Sequence, residues 1–144
     1  MGQIRLGTKR PLTVAPDLTV LAAARAMTER NVGAAAVVEN DRLVGIITER
    51  DLLRKVVAHG SEPAGVRVVD VMSSPAISVA LSTSVADAAT IMRSNHIRHL
   101  TVLDADGKVT GILALRYVLY DMLDDFERNV GDLMGYIMAD GPGG

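Results

Sequence analysis

Apolar residues recur along this chain in two registers, and the registers alternate in the same order twice. Behind Thr19, the residues Val20, Leu21, Ala23, Ala24 and Met27 fall at the spacing that gathers them on one side of a helix, with the threonine as N-cap. Behind Ser84, Val85, Ala88, Ala89 and Met92 repeat that stripe, and Asp87 stands three residues on in the manner of a capping box. After each helix comes an apolar run rich in β-branched residues, Ala35 to Val38 and Leu100 to Leu103. A polar turn follows, Asn40-Asp41 or Asp104-Ala105-Asp106-Gly107, and then a second apolar run, Leu43 to Ile47 or Val109 to Leu113. Each pair of runs predicts a β-hairpin. Gly45 and Gly111 interrupt the second strands, where another group could approach the backbone closely. A further helix is predicted from Glu49 to Ala58, ending at His59-Gly60, and a connecting loop from Ser61 to Arg67.

The two halves are copies. Sliding the chain by 65 positions gives seven identities in the 25 positions from 14 to 38, among them Val14 on Val79, Ala23 on Ala88 and Met27 on Met92. With short first strands at Leu12 to Val14 and Ile77 to Val79, each unit reads β-α-β-β-α. One unit cannot cover its own sheet, so the predicted fold is α+β, with two repeats packed face to face in pseudo-twofold symmetry. The division expected is residues 1–66 for the first repeat, 67–122 for the second, and 123–144 for a C-terminal helical extension with a disordered tail from Asp140. Helical pattern runs from Arg116 to Met138, with Tyr117, Tyr120 and Leu123, then Val130, Met134 and Ile137, on an apolar side, Asp121 and Asp125 opposite, and Asp124 and Glu127 nearer the boundary. Gly131 and Gly135 argue for a break or a close helix approach there.

Composition narrows the chemistry. The 144 residues include no Cys, which excludes a disulfide framework, a thiolate nucleophile and Cys-ligated metal. Fifteen basic residues against 17 acidic ones, a formal charge of -2, give no global attraction to nucleic acid or to an anionic bilayer. No run reaches the roughly 18 apolar residues of a membrane span, and the start lacks the apolar stretch of a signal peptide, so a cytoplasmic protein is expected. His96 and His99 lack a third ligand for a metal, Asp104 to Gly107 lacks the later Glu of a calcium loop, and no phosphate-binding glycine loop or nucleophile elbow is present. The reading is a non-enzyme.

The stretch Gly45-Ile46-Ile47-Thr48-Glu49-Arg50-Asp51-Leu52 resembles the signature G-h-h-[ST]-x-x-D-h, h being apolar, of tandem CBS domains, named for cystathionine β-synthase and paired as a Bateman module. Val69-Asp70-Val71-Met72 and Ile97-Arg98-His99-Leu100-Thr101-Val102 are similar to further family elements, with Thr101 standing where many relatives have Pro. The resemblance covers nearly the whole chain. It implies an adenosine-type ligand, AMP, ADP, ATP or S-adenosylmethionine, bound between the repeats as a regulatory ligand rather than a required cofactor. It also implies a homodimer and a regulated partner protein of unknown identity.

On that resemblance Asp51 accepts both ribose hydroxyls, and Thr48 reaches the sugar or a phosphate. The same four residues, Thr48 to Asp51, also read as a capping box that stabilises a helix with no ligand, and the two roles are compatible. Arg98 and His99 are phosphate candidates, with Arg50 and Arg116 weaker ones, against the alternative of simple solvation. Ala76, Ile77 and Ile97 are the residues that the family pattern implies for the adenine slot. In the second repeat Ala114 and Tyr117 replace Thr48 and Asp51, so one ribose site per chain is expected, with Tyr117 filling the other cleft in preference to stacking on a base there. The competing reading is a structural or scaffolding homodimer without ligand.

Overall fold

The computed structural model describes residues 3–4 and 10–140, with side chains placed as far as position 131, so residues 141–144 of the expected tail and the side chains of Met134 and Ile137 lie outside the described residues, while Asp140, expected to begin that tail, is helical. In chain order the first repeat contains β1 (Thr13–Val14), α1 (Val20–Arg30), β2 (Ala34–Glu39), β3 (Arg42–Thr48) and α2 (Glu49–Leu52). A short α3 (Val68–Val71) leads into β4 (Ser78–Ala80), α4 (Val85–Asn95), β5 (His99–Leu103), β6 (Val109–Ala114) and α5 (Leu115–Asp140). The fold is the expected α+β duplication. Two three-stranded sheets have the orders β1-β2-β3 and β4-β5-β6, each with a parallel pair followed by a hairpin.

The local chemistry explains the element ends. Thr19 Oγ1 accepts from Ala22 N, and Ser84 Oγ from Asp87 N, which satisfies a free donor at the start of α1 and α4. Both helices close on a left-handed residue, Asn31 at φ 54° and His96 at φ 54°. Asn40 and Asp41 both take positive φ, as a two-residue hairpin turn requires. In the second hairpin Asp104 Oδ1 accepts from Asp106 N and Lys108 N, and Gly107 takes φ 81°. That turn is longer, so the offset between repeats grows from 65 at Val37 and Val102 to 66 at Gly45 and Gly111.

Two predicted features differ. The helix after the first hairpin keeps α geometry only to Leu52 and widens at Leu53–Val57 into a π turn, in which Ala58 N donates to Leu53 O at 2.9 Å. α5 runs unbroken through Gly131 and Gly135, and a Cβ on Gly131 would meet nothing within 4 Å. No close partner there exploits the glycine among the described residues.

Each repeat has its own core, one around Val20, Met27, Val37 and Ile47, the other around Val85, Met92, Leu100 and Val102. The lead-in segment of each repeat packs on the other. Ile4 is buried in the second core and its N–H donates to Thr83 O. Val68 and Val71 are buried in the first core, where Val68 N donates to Leu18 O and Val20 N to Val66 O. This exchange carries the connector over the first repeat and fixes where residues 72–75 lie.

Candidate functional site

Asp51 sits in the first turn of α2 and is buried at 6% exposure; with Thr101 it is one of two buried polar or charged residues in the described core. A capping box places it. Asp51 N donates to Thr48 Oγ1 at 3.3 Å, and Thr48 N donates back to Asp51 Oδ2 at 3.0 Å, with the Thr48 hydroxyl 3.2 Å from the same oxygen. The other oxygen, Oδ1, accepts from Ser73 Oγ at 3.1 Å and pairs with Lys55 Nζ at 3.0 Å. Lys55 Nζ also donates to Val71 O at 2.9 Å.

Thr48 and Asp51 line a cleft of about 560 Å³ between the repeats. Its apolar wall includes Ile46, Pro75, Ile77 and Ile97, and its basic groups are Arg50, Arg54, Arg98 and the two histidines His96 and His99. Of the residues singled out in the sequence, Thr48, Asp51, Arg50, Arg98, His99, Ile77 and Ile97 therefore meet in one place. Ala76 is not among the lining residues, because Pro75 and Ile77 on either side of it supply that wall. Arg116 lies in a neighbouring cleft of about 650 Å³ at the quasi-equivalent position of the second repeat.

That neighbouring cleft is lined by Ala114 where the first has Thr48. Tyr117 does not line it: the residue is 53% exposed, its ring under the Arg116 guanidinium at 5.0 Å and edge-on to Tyr120 at 6.2 Å. The expectation that Tyr117 fills the cleft fails, because α5 turns this position outward. The two clefts share Gly33, Glu49, Arg98 and His99. Glu49 N donates to Gly33 O at 3.0 Å, and its counterpart Leu115 N donates to Arg98 O at 2.8 Å, so the shared wall lies at the pseudo-twofold. His99 is pushed below the ordinary 6.5 of imidazole, first by burial and further by Arg116 and Arg98, while Glu49 pulls it back up.

Two contacts to Asp51 were not singled out in the sequence. Lys55 was within reach of it, four residues on along the same helical turn. Ser73 carries no local signal, since it arrives from the inter-repeat segment. Among the described residues no group of three or more His, Asp or Glu could hold a metal, and no helix is long and apolar enough to cross a membrane.

A family model for the CBS domain matches residues 2–58 and 68–124, and the chain belongs to the CBS-domain family as a tandem pair. It is 38% identical over 109 residues to an uncharacterized protein of Methanopyrus kandleri, spanning 75% of this chain and 56% of that protein, so the chain matches little more than half of that relative's length. Among solved structures it is similar to a CBS domain protein from Pyrobaculum aerophilum complexed with AMP, with 25% identity and a TM-score of 0.72 over 82% of this chain and 95% of that one. It is also similar to CBSX2, a CBS-pair protein of Arabidopsis thaliana, in complex with AMP, with 29% identity and a TM-score of 0.66 over 84% and 93% of the chains.

Proposed function

We propose that this chain is a regulatory module that binds an adenosine nucleotide in the Asp51 cleft and passes its occupancy to a partner protein. The observation that carries the reading is a carboxylate at 6% exposure on the wall of a 560 Å³ cleft, a volume within the usual range for small-molecule sites. A carboxylate can accept from both hydroxyls of a ribose, which no neutral side chain does as well. Ile77 and Ile97 give the adenine an apolar wall, and Arg98, His99 and Arg50 give the phosphate its donors. Arg116 serves the neighbouring cleft. The two AMP complexes among the similar structures support the choice of ligand class, with ADP, ATP and S-adenosylmethionine sharing the same adenosine.

The reading takes the module to be non-catalytic and cytoplasmic, with the first repeat ending at residue 66, the second at 122 and the rest an extension. It takes the working form to be a homodimer. Tyr117, Tyr120, Leu123 and Phe126 of α5, with Leu53 and Val57 of the π turn, are all more than half exposed. Exposed apolar residues on these helices support that reading.

The test is thermal melting with AMP, ADP, ATP and S-adenosylmethionine, wild type against Asp51→Ala. At a hundred times its dissociation constant a ligand stabilises by about 2.7 kcal/mol, and the variant loses that gain. The second reading, a structural dimer in which Thr48 and Asp51 only cap α2, draws on one observation: both oxygens of Asp51 already have partners in the protein. It predicts no stabilisation of wild type by any of the four compounds.

A further inference from the structure

A carboxylate offers about four lone-pair positions, and each of those on Asp51 has a neighbour. Oδ2 has Thr48 N at 3.0 Å and Thr48 Oγ1 at 3.2 Å; Oδ1 has Ser73 Oγ at 3.1 Å and Lys55 Nζ at 3.0 Å. A vicinal diol brings two O–H donors, so two of these neighbours must yield. Thr48 N is fixed by the capping box, and Lys55 is outside the lining of the cleft, anchored on Val71 O. The remaining two, Thr48 and Ser73, both line the cleft and both end in hydroxyls that can rotate. Thr48 Oγ1 keeps Asp51 N as a partner when its proton turns away. Ser73 Oγ has no other bond among the described residues, so at Oδ1 it stands where a diol hydroxyl has to go.

Ser73 belongs to the segment that joins the repeats, and that segment is fastened to β3. Ile46 N donates to Ser73 O at 3.0 Å, Ser73 N donates to Ile46 O at 2.8 Å, and Ser74 Oγ donates to Val44 O at 2.8 Å. The hydroxyl on Asp51 is a further attachment, and the one that lies inside the cleft.

We infer that Ser73 is an internal competitor for Asp51: a ribose diol entering the cleft displaces its hydroxyl, and occupancy thereby releases one of the attachments that hold residues 72–74 on the first repeat. The inference rests on the nucleotide reading of this cleft. Coupling is reciprocal, so a contact that ligand binding breaks is one that weakens ligand binding. Removing the Ser73 hydroxyl therefore tightens the nucleotide, the opposite of what loss of a merely structural contact does.

The experiment is calorimetric titration of the four adenosine compounds into wild type, Ser73→Ala and Ser73→Thr. Ser73→Ala is expected to bind the preferred compound roughly three- to tenfold tighter, the value of one net hydrogen bond, and Ser73→Thr to stay near wild type. Hydrogen exchange gives a second readout: ligand speeds exchange of the Ser73 amide in wild type, and has no such effect in Ser73→Ala. If the alanine variant does not fold, Ser73→Cys, close in size and a weak donor, shows the same direction. Equal or weaker binding by the variant, with wild type binding, overturns this inference and leaves the nucleotide reading intact. Binding of none of the four compounds by wild type overturns both.

Discussion

Met72 lies so close across Gly45 that a β-carbon at position 45 would stand 2.6 Å from its Sδ and 3.0 Å from the Ser73 carbonyl oxygen. The glycine of the Gly45-to-Leu52 signature is therefore a crossing point, where the lead-in of the second repeat passes over β3 on its way to Asp51. A thioether can swing aside, but the Ser73 carbonyl is held by Ile46 N. Gly45→Ala is expected to destabilise by about 1–3 kcal/mol, the usual range for forced overpacking. Urea unfolding checks this, and a change within about 0.5 kcal/mol, as for an ordinary surface site, contradicts the crossing as drawn.

Thr101 supplies a prediction of the opposite sign. It is fully buried in β5, opposite Ile112 and beside Ser78, and its hydroxyl has no hydrogen-bond partner among the described residues. The first repeat has Ala36 at this position, also fully buried. An unpartnered hydroxyl in a core costs about 1–3 kcal/mol, so Thr101→Val, which keeps the branched shape, is expected to raise stability by about 1 kcal/mol. Chemical denaturation with an unchanged m-value is the check, and a loss of stability would mean that the hydroxyl has a partner.

These two positions show what the sequence made legible. The duplication, the caps and the turns were readable because each is local: Thr19 and Ser84 precede their stripes, and Asn40-Asp41 suits a two-residue hairpin whatever surrounds it. Gly45 was legible as a place of close approach, without the identity of what approaches. Ser73 on Asp51 was invisible, because 22 residues separate them and only the exchange of lead-in segments joins them. Ala76 and Tyr117 were misplaced for the same reason. Family pattern fixes the stretch they lie in, whereas their direction depends on how Pro75 and α5 sit in the assembled fold.

His99 makes the protein pH-sensitive in a defined direction. Burial first, then Arg116 and Arg98, hold its imidazole below 6.5 against the upward pull of Glu49. The unfolded chain takes up this proton near 6.5, the folded chain only at lower pH, so stability is full above 6.5 and falls as pH drops through it. The loss levels off once the folded protein is protonated as well. His99→Gln removes this contribution, which melting curves between about pH 5 and 8 resolve. In the proposed complex a phosphate beside the ring raises its pKa, so AMP binds more tightly as pH falls while adenosine does not. Comparison with His99→Gln separates this from the titration of the phosphate itself, and parallel pH profiles for the two proteins would rule His99 out as a phosphate contact.

α5 presents apolar residues on two sides. Val118 is 1% exposed and, with Met122, packs on the second core, so that side is already used. Off that stripe Tyr117, Tyr120 and Leu123 are 53%, 58% and 51% exposed, and Phe126, one turn beyond Met122, is 64% exposed, an apolar surface along the helix of the kind that marks an interface. If a second copy covers this side, an acidic substitution there buries an unpaired carboxylate as well as losing its apolar contact. The double variant Leu123→Asp, Phe126→Asp is expected to weaken dimerisation about thirtyfold or more, as for loss of a central anchor, and to leave the monomer's fold intact, because neither side chain belongs to a core. Val118→Ala is the converse control, lowering stability through the core while sparing the exposed side. Sedimentation equilibrium reads both. A wild type that stays monomeric at every concentration would show that this side of α5 does not bind a second copy.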